Sequence, residues 1–178
     1  EQGMSQWASA FAEAGLGVSK TLGDLTGPCL FAAMMGLARA LHAKHSERLS
    51  LGRVMAASAV LCVGGYLLAA LSGVPALSLV GCAMVGFSVG VFWPGTFSLA
   101  AAGMPSGGMA MFALLALAGD LGCASGPAVV GLAAKAAGGQ LRVGVLVAIV
   151  FPLLLLLGLW LKGRASGGLR AQQADGQS

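Results

Sequence analysis

Charge is what this sequence has least of. Asp, Glu, Lys and Arg make up 9% of its 178 residues, where a soluble domain carries roughly 25% because its surface must face water. A chain this short has no interior able to hide the 57% of residues that are apolar, so apolar surface has to face lipid. Aromatic residues are scarce too, 6% with a single tyrosine. The net charge of +4 is therefore not backed by a basic face interleaved with aromatics, which excludes nucleic acid as a partner. No HExxH motif and no Gly-x-Ser-x-Gly loop occurs, which removes zinc-protease and rhomboid chemistry. The four cysteines, Cys29, Cys62, Cys82 and Cys123, lack CxxC spacing and read as small packing residues inside apolar runs. The two histidines, His42 and His45, read as solvated loop residues. No metal and no cofactor is expected, and the chain does not read as an enzyme.

What is present is a series of long apolar runs. A helix crossing a bilayer needs about 20 mainly apolar residues, and five stretches qualify: Leu16 to Leu41, Arg53 to Ser72, Pro75 to Ala100, Gly108 to Ala134 and Leu141 to Leu161. The runs are continuous rather than alternating, so they predict helices, not a barrel. Before them, Met4, Trp7, Ala8 and Phe11 share one apolar face, as in an interfacial helix or the exit end of a helix whose beginning is missing. The opening Glu1-Gln2-Gly3-Met4 has neither an initiator Met nor a signal-peptide pattern, and a fragment is the expectation. Gly- and Pro-rich turns at 72–75, 103–108 and 137–140 punctuate the spans. Residues 163–178, rich in Gly, Ser, Gln and Arg, are expected to form a disordered tail.

Positive residues orient the bundle. Arg39, Lys44, Arg48, Arg53, Lys162, Arg164 and Arg170 fall on one side, and Lys20, Lys135 and Arg142 on the other. Seven against three predicts that the 39–53 loop and the C-terminus are cytoplasmic, in a plasma or inner membrane.

Two acids stand apart. Asp24 and Asp120 lie inside apolar spans, where an ionised side chain costs at least about 2.5–3.5 kcal/mol. They occupy related segments, Gly23-Asp24-Leu25-Thr26-Gly27-Pro28 and Gly119-Asp120-Leu121 followed by Gly126-Pro127. Counting the N-terminal stub as a helix, the acids fall on the second and fifth of six. Three is odd, so two consecutive three-helix units enter the bilayer from opposite sides, the arrangement of inverted repeats in secondary transporters. Glycines four apart, at 23 and 27, 86 and 90, and 122 and 126, predict close helix packing. Pro28 and Pro127 are expected to loosen the helix near each acid. The acids read either as structural hydrogen-bonding groups or as groups for proton carriage, cation coordination or gating.

Stub plus five spans resembles the C-terminal half of a major facilitator superfamily transporter, over residues 1 to 162. The loop after the first full span is similar to that family's cytoplasmic signature in stretched form: Gly36, Arg39, Glu47-Arg48 and Gly52-Arg53. The resemblance implies an all-α polytopic membrane bundle of five full helices and a truncated first one, in two inverted repeats. It also implies a missing N-terminal six-helix half, a small-molecule solute as cargo, and alternating access driven by a proton or cation gradient. In that family the second and fifth helices of each half form the seam between halves. This places Asp24 and Asp120 in coupling or gating, and Arg39, Glu47, Arg48 and Arg53 in a cytoplasmic gate. The first and fourth helices line the cavity, so Trp93 would face substrate or serve as an interfacial aromatic.

Two other classes compete. A structural or accessory membrane subunit fits the composition but predicts nothing about duplicated acids. An intramembrane aspartyl protease also needs two membrane aspartates, but Asp24 and Asp120 lack the Gly-x-Gly-Asp pattern and Tyr66 precedes Leu67, not Asp.

Overall fold

The computed structural model describes residues 1, 3–5, 8–9, 19–45 and 50–175, with the side chains at 20, 24, 75, 141 and 165–175 outside the description. Every regular element among the described residues is an α-helix. They are α1 Lys20–His45, α2 Leu51–Leu71, α3 Pro75–Val89, α4 Phe92–Gly103, α5 Gly108–Ala136, α6 Leu141–Val147 and α7 Val150–Asp175. Residues 3–5 and 8–9 of the N-terminal segment are helical as well, while Trp7 and Phe11 lie outside the described residues. Five stretches are long and apolar enough to cross a membrane: Thr21–His45, Leu51–Leu71, Ala76–Gly103, Gly108–Ala136 and Arg142–Arg164. That is the all-α, five-span composition expected of an integral membrane protein.

Several boundaries shift for physical reasons. Helix α1 continues to His45, because Ala40 to Lys44 are mostly good helix formers and the basic last turn complements the negative end of the helix dipole. His42 and His45 are thus helical rather than loop residues. His45 Nδ1 lies 3.0 Å from the Leu41 carbonyl, and the buried Nδ1 of His42 has no partner among the described residues. At the other end α7 runs to Asp175, past Gly163. The Leu169–Ala174 stretch is made of strong helix formers, which carry the helix beyond the flexible-looking glycines.

Proline acts where it was not expected to. The helices run unbroken through Pro28 and Pro127. The third and fifth spans, in contrast, are interrupted at Gly90–Val91 and Ala148–Ile149. Each interruption begins four residues before a proline, Pro94 or Pro152. A prolyl nitrogen has no proton to give the carbonyl one turn back, and its ring pushes that carbonyl away. At Ala148 the amide of Phe151 fills in at 3.2 Å, a tighter turn. Gly90 and Val91 keep right-handed helical dihedrals, so the third span is kinked rather than unwound.

Helix α3 is the centre of the bundle, and glycine lets its neighbours come close. A Cβ on Gly86 would stand 2.6 Å from the Phe31 carbonyl, and one on Gly90 2.6 Å from the Met35 carbonyl, both on α1. Facing α2, a Cβ on Gly81 would stand 2.7 Å from the Gly65 carbonyl. Around these contacts Met4, Phe31, Cys62, Tyr66, Cys82, Val85, Val130 and Val145 form the main buried cluster. Cys62 and Cys82 are buried free thiols and Cys29 and Cys123 are exposed ones, so only the first two are core packing groups. The Gly86 and Gly90 pair is used for packing as its spacing predicts. A Cβ on Gly122 would meet no described atom within 4 Å, while the Gly126 carbonyl would stand 3.6 Å from a Cβ on Gly3.

Helix α5 is different. Of its most apolar window 6% is buried, against 56% for the third span, so most of that helix is uncovered. Near one end Gly144 of α6 sits against Val130 and Ala134.

Candidate functional site at the kinked third span

The kink leaves the Gly90 carbonyl without its helical donor, and an arginine supplies one. Arg39 reaches from α1 and its Nε donates to Gly90 O at 3.1 Å. A second guanidinium nitrogen, Nη2, lies 3.7 Å from Met35 Sδ. The geometry follows from local sequence. Gly90 has no side chain, α1 therefore packs closely there, and Arg39 lies one turn past Met35 on the same helix face. A charged donor on a freed carbonyl is among the stronger hydrogen bonds available inside a bundle. Neighbouring hydroxyls turn back on their own helices, Ser88 Oγ to Met84 O and Thr96 Oγ1 to Phe92 O, both at 2.7 Å.

Beyond the kink, α4 touches α5 through rings. The Trp93 indole lies over Gly119, where a Cβ would collide with it. Trp93 and Phe97 meet edge to face with centroids 4.7 Å apart, and Phe97 stacks on Phe112 at 5.6 Å. Trp93 stays 45% exposed, so one face of the indole remains available. Gly119 is the residue before Asp120, so the aromatic ladder ends beside that acid. Asp120 is exposed on α5 and has no hydrogen bond or ion pair among the described residues. Trp93 thus covers the residue next to Asp120 in sequence, while the Asp120 side chain itself is exposed.

The other candidates are spread out. Asp24 stands on α1, but its side chain lies outside the described ones. The N-terminal segment lies between α1 and α5: Gly27 of α1 is packed on Ala8, and a Cβ on Gly3 would meet Val130 of α5 at 3.2 Å. The two acids are therefore carried by helices flanking a common segment, and Met4 of that segment packs on Cys82 of α3. Of the cytoplasmic-gate set, Arg39 is exposed and lays its guanidinium along the surface of α1 to the Gly90 carbonyl, while Arg53, also exposed, donates to Ser50 Oγ beside its own helix start. Glu47 and Arg48 lie outside the described residues. Among the described residues no group of three His, Cys, Asp or Glu side chains could hold a metal.

The contact that sequence reasoning missed is Arg39 with Gly90. The available signal was Pro94, whose position marks the Gly90 carbonyl as the one deprived of a donor. No family model matches this chain. Neither a curated protein nor a solved structure matches it.

Proposed function

We propose that the chain is part of a secondary transporter of the major facilitator type, moving a small solute by alternating access coupled to a proton or cation gradient. The observation that carries this reading is the proline-kinked third span, which lays Trp93 on the residue preceding Asp120, an exposed aspartate with no hydrogen bond or ion pair among the described residues. Interrupted helices near the middle of a span are where transporters build solute and ion sites. Two further features support it. The Gly-Asp-Leu segments repeat on α1 and α5, which in this reading are the second and fifth helices of two inverted three-helix units. Helix α5 also leaves most of its surface uncovered, as a helix at a seam with a second half would.

In this reading the two acids couple the cycle. A carboxyl that meets water in one conformation and not in the other binds a proton or cation differently in each, and a gradient then biases the equilibrium between them. The region beside Trp93 takes the solute, and Arg39 holds the kink that shapes it.

The test is Asp24→Asn and Asp120→Asn in the full-length protein, reconstituted in liposomes under an imposed pH or sodium gradient with a panel of small solutes. Variants that insert in normal amounts are expected to lose gradient-driven uptake. Uptake with unchanged pH and sodium dependence in both variants would return the acids to a packing role. A protein that moves no solute, while a partner complex fails to assemble without it, is an accessory subunit instead.

A further inference from the structure

Away from the kink, two apolar grooves run along α7 and meet at one lysine. The first, about 420 Å³, lies between α4 and α7 and is lined by Leu99, Gly103, Leu155, Gly158 and Leu159. The second, about 710 Å³, lies between α2 and α7, with Gly52, Ala56, Leu156 and Trp160 along it. Leu99, Leu159 and Lys162 line both. Lys162 Nζ is held at the α4–α7 seam by the Leu99 carbonyl at 3.5 Å. Arg53 lines the second groove from the start of α2. One turn beyond Trp160, the Arg164 guanidinium lies 3.9 Å from the centre of the indole ring.

We propose that this end of the bundle binds one anionic diacyl phospholipid, with its phosphate between Arg53 and Lys162 and one acyl chain in each groove. Three features select this occupant. Both grooves are lined almost wholly by apolar side chains and open along their length, which suits an alkyl chain and no polar solute. They converge on a single cationic point, as two chains converge on one headgroup. Lys162 lines both grooves and Arg53 the second, and no carboxylate lines either groove. Trp160 sits at the level where amphipathic rings settle between tails and headgroups. Basic pockets between membrane helices recognise anionic headgroups in this way. The site stands independently of the transport reading, since it uses none of the residues placed at the kink.

The experiment is native mass spectrometry of the full-length protein released from nanodiscs of dioleoyl phosphatidylglycerol and dioleoyl phosphatidylcholine in equal amounts. The wild type is expected to retain one phosphatidylglycerol in preference to phosphatidylcholine. Arg53→Gln and Lys162→Gln should each lower that preference roughly fivefold, the share of one near-surface cation. Lys135→Gln and Arg142→Gln remove the same charge at the opposite end and should leave it unchanged. A second pair of variants keeps every charge: Gly158→Leu and Gly52→Leu place a side chain in the first and second groove respectively. A Cβ at either position meets nothing within 4 Å, so the fold tolerates the change, and each should block retention. Absence of preference in the wild type overturns the proposal. So does an equal loss with the opposite-end variants, which would mean bulk surface charge. Retention untouched by both leucine variants, together with displacement by inorganic phosphate, would show a free-anion site and overturn the lipid.

Discussion

Replacing Arg39 by Met removes the guanidinium but keeps most of the apolar stem, so it isolates the contact with Gly90. Gly90 is buried and its carbonyl has lost its helical donor to Pro94. A buried polar group left unpaired costs about 1–3 kcal/mol in soluble proteins. Hydrogen bonds between membrane helices measure lower, about 0.6 kcal/mol on average and up to about 1.7. The donor here is charged and the Nε distance of 3.1 Å is good geometry, while the exposure of Arg39 keeps the value below the top of these ranges. Arg39→Met is therefore expected to destabilise the bundle by about 1–2 kcal/mol. The decisive comparison is the same substitution in a Pro94→Ala background. Alanine returns an N–H to the Gly90 carbonyl, so Arg39→Met should then cost about 0.5 kcal/mol or less. Arg39→Lys should recover only part of the loss, since an ammonium has no donor at the Nε position. Reversible unfolding of the four combinations in bicelles gives the coupling energy directly. An equal cost of Arg39→Met with and without Pro94 would refute the account of the kink.

Two further expectations follow from contacts and charge. Gly86→Leu drives a side chain into the Phe31 carbonyl and should cost at least about 1–3 kcal/mol, whereas Gly64→Ala, which meets open space, should be neutral or slightly stabilising; the same unfolding measurement separates them, and equal effects would mean that α3 does not pack through its glycines. For topology, Lys44→Cys and Gln140→Cys in a cysteine-free background should react with an impermeant thiol reagent from opposite faces of the membrane. Labelling of both from one side removes the span count and the orientation together.

The spans were legible because lipid imposes a composition that nothing else tolerates. The long apolar runs around Ala59, Val85, Leu121 and Leu155 all became helices. Interruptions were not legible in the same way. Pro28, Pro94, Pro127 and Pro152 are all prolines inside apolar runs, yet only the second and fourth coincide with a break. At Gly90 the carbonyl is served by Arg39, 51 residues away in sequence, and a run of residues read in order does not show which distant side chain arrives. The same holds for Trp93 over Gly119. The family resemblance marked Trp93 as notable, but its neighbour is set by how α4 and α5 approach each other. Asp24 and Asp120 were conspicuous by energetic cost alone, and the exposure of Asp120 bears on where such a residue looks. Conversely, Gly122 shows that a small residue in such a motif offers a surface without naming what will use it.

The scant burial of α5 has a consequence for how the protein is made. The α2–α3 hairpin is joined by a turn at 72–74 and closes on itself through Gly65 and Gly81, so it can assemble as soon as it leaves the ribosome, with α1 docking on Gly86 and Gly90. Helix α5 contributes little to that early core. It satisfies its own backbone and can wait alone in lipid until α6 arrives with Gly144 at one end and Phe97 meets Phe112 toward the other. This packing predicts biogenesis in two stages, so a defect in α5 should release an inserted, partly assembled bundle rather than a chain that never enters the membrane.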